Sequence, residues 1–444
     1  MRAPNARDTA LGVLVSCRTA GAWADAALKA QLRRDGLSGA EAALCSRIVY
    51  GVMQDRLLLD FYLGSYCSQK IDHLQPPLAE ILRIGAYQIL FLDKVPDSAA
   101  VNSSVELAKL SKRGQAAGLV NAVLRKISQN KEHLPPIPEG DTAKYLSIRY
   151  SHPRWLVKRL LALLGREETE ALLALNNQPA PITAQVNTCR YEAQAVREDL
   201  LAAGVEAETD PALPDCLYLS GSGDLERLEL FRAGAFYIQD PAARMAVLAA
   251  AVKPGDGVLD VCAAPGGKSF AAAIQMGDRG EILACDLHEN KLKRVREGAA
   301  RLGFPCIETA AADGRNFRPE WENGFDAVLV DAPCSGLGII RKKPDIRYKK
   351  LDSLFAMPVI QRAILDNAAR YVKPGGTLLY STCTILPEEN GEVTDSFLAE
   401  HPEFARTPFS LPLDGAGAET GQATLWPQRH GTDGFYICRM TRRP

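Results

Sequence analysis

The sequence lacks long apolar runs: none of its 444 residues fall in a stretch that reaches the roughly 20 apolar residues a membrane-spanning helix needs. Residues 1–10 also carry no apolar signal core. Hydrophobic residues make up 47% and charged residues 24% of the chain, an ordinary soluble composition. We therefore expect a cytoplasmic protein with no membrane partner, long enough for about two or three domains.

Cysteines and histidines are present but are not clustered. The 11 cysteines are scattered without any Cys-x-x-Cys pair, which argues against both a zinc site and a disulfide framework. The 6 histidines do not group with acidic residues, which disfavours metal-dependent hydrolysis. We expect no metal and free thiols, so that a thiol in an unusual position becomes a candidate for chemistry.

Net charge is small but unevenly distributed. The whole chain carries −1, whereas residues 1–150 contain 19 Lys and Arg against 14 Asp and Glu, a net charge of +5. The rest of the chain must then carry −6. A positive N-terminal part beside an acidic part is a mild indication of an RNA or DNA partner.

Residues 1–140 are predicted to form an all-helical domain, because apolar residues recur at helical spacing in several segments. The most apolar segment, residues 78–91, is predicted to lie at the centre of a helical bundle. Basic residues stand at predicted helix ends, where phosphate could reach them; a solvated face with favourable end charges explains them at least as well. These basic residues are Lys109, Lys112, Arg113, Arg125 and Lys126.

Three segments of this domain resemble the NusB-type RNA-binding helical fold: residues 50–52 (YGV), 82–89 (LRIGAYQI) and 118–125 (GLVNAVLR). The resemblance implies RNA binding through basic helix ends. A proline-rich linker is predicted at residues 131–140. A small α/β module that contacts RNA is predicted over residues 145–235.

Residues 258–269 (VLDVCAAPGGKS) predict an α/β domain over residues 236–444. A short apolar run predicts a buried strand, Ala-Pro-Gly-Gly predicts a turn, and residues 269–276 predict a helix. Strand, glycine turn and helix form the opening unit of a Rossmann-like, doubly wound sheet. In such a sheet a ligand meets the helix N-terminus and bare backbone N–H groups at the carboxyl edge.

The glycine turn fits neither a P-loop nor a dinucleotide fingerprint. A Walker loop needs a glycine where Cys262 stands, and the spaced glycines of a dinucleotide site are missing. Asp286 ends a second predicted strand and could take the two hydroxyls of a ribose, while Asp313 closes a third and could hold an adenine amino group. Helix capping is the alternative for each acid. S-adenosylmethionine fits this pattern, because it is a nucleoside that would be held by its ribose and its base and has no diphosphate.

Cys334 and Cys383 follow the predicted fourth and fifth strands, so we expect both thiols at the same carboxyl edge as the glycine turn. The C5 atom of cytosine is too weak a nucleophile to take a methyl group unaided. A thiolate that adds to C6 activates C5, and later loss of the C5 proton and the thiol gives 5-methylcytosine. Asp331 is placed to act as an acid near N3. The residues alone leave open which cysteine attacks, and a buried structural thiol is the alternative for each.

Three motifs together resemble the RNA 5-methylcytosine methyltransferases: residues 260–269 (DVCAAPGGKS), 331–336 (DAPCSG) and 381–384 (STCT). With the NusB-like N-terminus, the chain is similar to the bacterial Sun/Fmu branch, which methylates 16S ribosomal RNA. The resemblance implies that Cys383 is the nucleophile and that Cys334 assists release of the product. It also implies S-adenosylmethionine contacts from Cys262, Ala263, Ala264, Pro265, Gly266, Gly267, Lys268, Asp286, Asp313 and Asp331.

We accordingly expect 16S ribosomal RNA, unassembled or partly assembled, as the partner of a monomeric enzyme. The basic residues 341–350 (RKKPDIRYKK) are predicted to hold the RNA backbone and stack a base, with a solvated loop as the alternative. Residues 387–390 (PEEN) resemble an element of this family; their role stays open, and favourable charges at the start of the next helix are a sufficient explanation. Two rival functions remain, the same chemistry on transfer RNA and a non-catalytic RNA-binding scaffold. Buried, inert positions are predicted for Cys17, Cys45, Cys189 and Cys285.

Overall fold

The computed structural model describes residues 3–110, 116–349, 356–413 and 418–444. Lys350, which the sequence predicts to contact RNA, lies outside these ranges, as do Lys112 and Arg113, for which RNA contact is one of two interpretations. The chain separates into two compact units, the first made of Met1–Gln178 with Ile340–Tyr348 and the second of Pro179–Ile339 with Lys349–Pro444. Within the described ranges, no helix combines the length and apolarity needed to cross a membrane.

The first unit is helical, and the spacing of apolar residues predicts this for residues 1–140; the last two helices, which the sequence assigned to the following module, continue the unit to Gln178. A glycine with φ of 75°, Gly165, breaks its last long helix. The helices are α1 (Ala6–Ala20), α2 (Ala24–Asp35), α3 (Gly39–Gln54), α4 (Arg56–Gly64), α5 (Pro76–Phe91), α6 (Asp97–Leu110), α7 (Ala117–Gln129), α8 (Thr142–Arg149) and α9 (Arg154–Leu175).

Helix α5 lies at the centre of this unit, since every residue from 79 to 89 is buried. Neighbouring helices approach it closely where glycines stand. A Cβ on Gly51 would lie 1.9 Å from the Tyr87 ring, and a Cβ on Gly85 would lie 2.3 Å from Leu124. A larger side chain at either position would force the helices apart, because protein interiors are close-packed.

Arg83 is a charged side chain in the core around α5, with no exposed surface. Its guanidinium donates to Asp60 at 2.7 Å, to Asp72 at 2.9 Å and to Glu80 at 2.5 Å. A buried charge is tolerated when its partners are in place and its donors are satisfied. These carboxylates therefore explain how an arginine fits on the most buried helix of the unit.

Arg347 is also fully buried in the first unit. Its Nη1 donates to the carbonyl oxygens of Gln54 and Ser151, both at 3.0 Å, and to Oδ1 of Asn177 at 3.1 Å. Gln54 ends α3, and helix ends leave carbonyl groups without intrahelical donors. The prediction that residues 341–350 contact RNA is therefore wrong for Arg347, because its guanidinium points into the protein.

Replacing Arg347 by methionine should destabilise the first unit by about 1–3 kcal/mol, since buried carbonyl groups would lose their donor. Lys343→Met is the matched control: Lys343 lies on the same segment and is exposed, so its loss should change stability by no more than about 0.5 kcal/mol. Amide hydrogen exchange in α3 and α9 measures the effect in this unit. Equal protection in both variants would contradict the structural role.

The second unit contains two sheets, of which the smaller has the strand order β2-β3-β1-β4 with antiparallel pairs throughout. Strand β2 was not predicted, because it is polar and only one of its residues is buried. The elements are β1 (Ile182–Val186), β2 (Glu206–Thr209), β3 (Cys216–Ser220) and β4 (Phe236–Ile238), with α10 (Ala193–Ala202) and α11 (Glu229–Arg232).

Cys189 is exposed, so the prediction of a buried position is wrong for this residue. Strand β1 ends at Val186, and Cys189 lies in the turn that follows, where the alternation of a strand no longer applies. Cys45 and Cys285 are buried as predicted, and Cys17 is partly buried.

The larger sheet has the order β10-β12-β9-β8-β5-β6-β7, with β11 paired to β12. Strands β5 to β9 pair in parallel, whereas β12 runs antiparallel to β9. This is the Rossmann-like sheet that residues 258–269 predict. Its strands are β5 (Gly257–Asp260), β6 (Glu281–Asp286), β7 (Ile307–Ala311), β8 (Phe325–Asp331), β9 (Val372–Thr382), β10 (Phe404–Arg406), β11 (Gln422–Leu425) and β12 (Phe435–Arg442).

Helices cover both faces of this sheet, and each face has its own apolar core. The strand order reverses at β5, which lies between β6 and β8. Ligands of open α/β sheets bind in the crevice at the carboxyl ends of the strands beside such a reversal. The helices are α12 (Pro241–Ala250), α13 (Gly267–Met276) and α14 (Glu289–Leu302) on one core, and α15 (Met357–Ala369) and α16 (Gly391–Glu400) on the other; the short α17 (Pro427–His430) precedes β12.

Candidate active site

The glycine turn connects β5 to α13 at the reversal point. Gly266 has a φ of 113°, a conformation that favours glycine, and a Cβ there would lie 2.5 Å from the Phe270 ring. The backbone N–H groups of Val261 and Ala263 donate to strands β8 and β6 at 2.9 and 2.7 Å. The turn is therefore held on both sides by the sheet, with the N-terminus of α13 at the carboxyl edge.

Asp260 joins the strand to the helix beneath this turn. Its buried carboxylate accepts a hydrogen bond from Ser269 Oγ at 2.7 Å. Burial raises the pKa of Asp260 to about 6, with the Ser269 hydrogen bond and Lys268 acting in the opposite direction. The acid that opens the motif thus has a local structural function.

The predicted cofactor residues 262–268 all lie in this turn or in the first turn of α13. Cys262 is half-buried, and burial raises the pKa of its thiol. A protonated thiol is a poor nucleophile, so Cys262 is not placed for covalent chemistry. The Ala264–Pro265 peptide bond is cis.

Asp286 ends β6, the strand beside β5, and its side chain is largely buried. Its Oδ1 accepts from the backbone N–H of His288 at 3.0 Å and lies 3.6 Å from Lys291 Nζ. The helix-capping alternative does not describe this contact, because the N-cap residue of α14 is His288. The ribose-binding interpretation of the same carboxylate stays a prediction.

Asp313 follows β7, and Arg315 engages both of its carboxylate oxygens. The guanidinium donates to Oδ1 at 2.9 Å and to Oδ2 at 2.6 Å, and these hydrogen bonds lower the pKa of Asp313. Beside it is a small cavity with mostly apolar walls, which include Val261, Cys285 and Trp321. An adenine amino group at Asp313 would have to share the carboxylate with Arg315.

Lys268 and Asp331 form an ion pair at the same edge. Lys268 Nζ donates to Asp331 Oδ2 at 2.6 Å, and Ser381 Oγ donates to Oδ1 at 3.1 Å. Burial alone would lower the pKa of Lys268, but the charge and hydrogen bond of Asp331 outweigh it and raise the pKa. The sequence predicted Lys268 and Asp331 as site residues but gave no role to Ser381, although Ser381 opens the motif at residues 381–384.

The structure brings Cys334 and Cys383 together: their sulfur atoms lie 3.3 Å apart, and both side chains are half-buried free thiols. The reason is the pairing of β8 with β9, which sets Asp331 opposite Ser381. The two cysteines follow these residues in loops that leave neighbouring strands on the same edge. The hydrogen bond to Cys383 and burial raise the pKa of the Cys334 thiol well above its ordinary value.

Glu389 is a buried carboxylate behind the two cysteine loops, and sequence reasoning missed it. Its Oε2 accepts from Ser335 N at 2.8 Å, and its Oε1 accepts from Thr384 Oγ1 at 3.2 Å. Favourable end charges on the following helix do not explain a glutamate that is 1% exposed. The available signal was position alone, since Glu389 belongs to the polar segment directly after the Thr-Cys motif.

In the part of the chain that the structure describes, no group of three or more His, Cys, Asp or Glu side chains is arranged to hold a metal ion.

Family models match three consecutive parts of the chain. The model described as 16S rRNA methyltransferase RsmB/F matches residues 247–441. The NusB family matches residues 4–129, and a ferredoxin-like domain of RsmF/B-like methyltransferases matches residues 152–226. These matches confirm the resemblance of the N-terminal helices to NusB and of the sheet domain to RNA methyltransferases.

Two relatives match all or nearly all of the chain. A Bacillus subtilis (strain 168) protein named probable ribosomal RNA small subunit methyltransferase B is 36% identical, with 100% of each chain covered. A Klebsiella pneumoniae (strain 342) protein named ribosomal RNA small subunit methyltransferase B is 33% identical over 92% of this chain and 91% of its own.

Solved structures show the same fold. The crystal structure of PH0851 has a TM-score of 0.82 and 29% identity, covering 97% of this chain and 98% of its own. NSun6 from Pyrococcus horikoshii with SFG has a TM-score of 0.59 and 21% identity over 66% of this chain and 98% of its own, so it supports the fold alone. Because these relatives are 36% and 33% identical to the chain over at least 92% of its length, the chain belongs to the RsmB/F family of 16S rRNA methyltransferases.

Proposed function

We propose that this chain transfers a methyl group from S-adenosylmethionine to C5 of a cytosine in 16S ribosomal RNA, through a covalent adduct between Cys383 and C6. The observation that carries the proposal is the 3.3 Å separation of the Cys334 and Cys383 sulfur atoms at the carboxyl edge of the sheet. Methylation at oxygen or nitrogen needs no thiol. Methylation at C5 needs a thiolate that adds to C6, because C5 must first be made nucleophilic, and the second thiol can then assist its release.

The residues at the reversal point fit S-adenosylmethionine as the methyl donor. Gly266 gives the turn its left-handed conformation and lets it pack closely on Phe270, which sets the N-terminus of α13 at the carboxyl edge. Asp286 ends the adjacent strand, where an acid binds ribose hydroxyls, and Asp313 follows the next one along. Lys268 and residues 262–267 complete the set that would hold the donor, which supplies an electrophilic methyl group.

Cys383 is assigned as the nucleophile. The Thr-Cys motif at residues 381–384 carries the nucleophile in the family that the chain resembles, and the Cys334 sulfur lies 3.3 Å from that of Cys383, within hydrogen-bond distance. The Cys383 thiolate forms a bond to C6, and the electrons of the C5–C6 double bond move into the ring toward N3. C5 then has the electron density to take the methyl group.

The Lys268–Asp331 pair is assigned to the negative charge that develops on the ring. With the two groups 2.6 Å apart, the raised pKa keeps Lys268 as an ammonium. An ammonium donates to an acceptor such as N3, and a carboxylate accepts from an amino group such as N4, so the pair matches the edge of cytosine. We therefore extend the acid role predicted for Asp331 to the pair, with the proton held on Lys268 Nζ.

Release reverses the first step. The C5 proton passes to water, the C6–sulfur bond breaks with its electrons on Cys383, and the ring double bond is restored. A hydrogen bond from the Cys334 thiol stabilises the leaving thiolate, which gives Cys334 its role in product release.

The RNA partner is inferred from the N-terminal half and from the relatives. Residues 1–150 carry a net charge of +5, and residues 4–129 match the NusB family. The two relatives described above are named for the small ribosomal subunit, which favours 16S rRNA over transfer RNA. We propose a monomeric, cytoplasmic enzyme that acts on RNA before assembly of the subunit is complete.

Cys383→Ser should abolish methyl transfer, because a hydroxyl is not ionised at neutral pH and cannot add to C6. Cys189→Ser is the matched control, since Cys189 is exposed and stands apart from the thiol pair; its activity should equal that of the unaltered protein. The measurement is transfer of labelled methyl groups to small-subunit RNA. Full activity of the Cys383 variant would exclude the assigned nucleophile.

Cys334→Ala should allow the adduct to form but slow its breakdown, because the leaving thiolate loses its hydrogen-bond donor. A protein–RNA species that resists denaturation should then accumulate on a gel. It should be absent from the double variant that also carries Cys383→Ser. If Cys334→Ala gives no such species, the release role of Cys334 is incorrect.

Side-by-side assays with 16S ribosomal RNA and transfer RNA decide the substrate. We expect 5-methylcytosine in 16S RNA, identified by digestion to nucleosides and mass spectrometry. Methylation of transfer RNA alone would support the rival substrate. Methylation of neither RNA, combined with no binding of the donor, would support a non-catalytic scaffold.

A further inference from the structure

Glu389 and Asn390 follow the loop that carries Cys383, the Thr-Cys loop. Both are polar and buried, with exposed fractions of 1% and 3%. Burying a carboxylate and an amide is costly unless every polar atom finds a partner. Their partners all belong to the cysteine loops or to elements that contact those loops. This arrangement indicates a function beyond charge at the start of α16.

The loop that carries Pro333 and Cys334, the Pro-Cys loop, is held by hydrogen bonds on both sides of Cys334. On the C-terminal side, the backbone N–H of Ser335 donates to Glu389 Oε2 at 2.8 Å. On the N-terminal side, Gln361 Nε2 donates to the carbonyl oxygen of Pro333 and to Glu389 Oε2, both at 3.0 Å. One carboxylate oxygen therefore fixes the peptide that carries Cys334.

The Thr-Cys loop is held by hydrogen bonds in the same way, on both sides of Cys383. Asn390 Oδ1 accepts from Thr382 Oγ1 at 2.6 Å, and its Nδ2 donates to the carbonyl oxygen of Thr384 at 3.0 Å. The other oxygen of Glu389, Oε1, accepts from Thr384 Oγ1 at 3.2 Å. Both neighbours of Cys383 are thus held.

Glu389 is the residue that takes part in both sets of hydrogen bonds. It binds Ser335 and Thr384, the residues that directly follow Cys334 and Cys383, and the hydroxyls of these two residues also contact each other at 2.7 Å. No covalent bond joins the loops, so noncovalent contacts determine the separation of the sulfur atoms. The pairing of β8 with β9 ends before either cysteine is reached.

We propose that Glu389 is a positioning residue that holds the Pro-Cys loop against the Thr-Cys loop and so sets the separation of the two thiols. The role rests on geometry, not charge: in a glutamine, the side-chain oxygen can accept from Ser335 and Gln361 while the amide donates to Thr384. Alanine leaves the buried Ser335 N–H without its acceptor and removes the carboxylate that joins the two loops. Its catalytic consequence rests on the proposed function, whereas its effect on the thiols does not.

The first test needs neither RNA nor methyl donor. Dibromobimane bridges two nearby thiols, and peptide mass spectrometry identifies the product that links Cys334 to Cys383. Bridging should be about tenfold slower in Glu389→Ala, because the sulfur atoms are no longer held together. It should be unchanged in Glu389→Gln and in the control Glu392→Ala, which alters an exposed glutamate on the helix that follows, α16.

The second test uses methyl transfer to 16S ribosomal RNA. Glu389→Ala should lower kcat by about 100-fold with little change in KM for RNA, since displacement of the reacting group affects the chemical step. Glu389→Gln should restore kcat. A variant that loses activity only through general instability would not be rescued in this selective way.

The two tests separate the two proposals. Equal bridging in Glu389→Ala and the unaltered protein overturns the positioning role, whatever the methylation result. Slower bridging in an enzyme that methylates no RNA supports the positioning role and rejects the proposed function. If Glu389→Ala does not unfold cooperatively, the bridging test is repeated with Thr384→Val, which removes the hydroxyl shared by both loops. Unchanged bridging in Thr384→Val overturns the proposal.

Discussion

The candidate site depends on the parallel pairing of β8 with β9, in which Asp331 stands opposite Ser381. Each strand is followed by a cysteine loop, so this register determines that the two loops leave the sheet side by side. A slip by one residue would turn the side chains of a strand to the opposite face. The pairing thus brings together the loops of two cysteines that are 49 residues apart, and contacts between the loops then hold their sulfur atoms at 3.3 Å.

Buried charge is the second constraint, and the protein satisfies it with specific partners. Lys268 is neutralised by Asp331, and Glu389 is surrounded by donors from both cysteine loops. The first unit solves the same problem at Arg83 with carboxylates and at Arg347 with carbonyl groups. Because desolvated charges need partners held in place, such groups make the surrounding loops rigid. At a catalytic site, this rigidity keeps reacting groups oriented before the substrate arrives.

The basic segment after the Pro-Cys motif shows why charge in a sequence is an ambiguous sign of RNA contact. Arg347 is buried against carbonyl groups, and Lys349 Nζ donates to the carbonyl oxygen of Ser335 at 2.9 Å. At least these two cations therefore support the protein's own loops. The match of residues 4–129 to the NusB family gives a firmer reason to expect an RNA partner than the count of basic residues does.

The sequence by itself determined the helical N-terminal part, the strand–glycine turn–helix of residues 258–269 and the pair of cysteine motifs, because each is a local pattern of spacing or turn chemistry. It did not reveal β2, whose residues are mostly polar and exposed, or the exposed position of Cys189. Nor did it reveal the partners of buried polar groups. Glu389 meets Ser335 across 54 residues and Arg347 meets Gln54 across 293, contacts that no local pattern encodes. Only the tertiary structure decided them, because a buried donor or acceptor takes whichever partner the packed chain brings within hydrogen-bond distance.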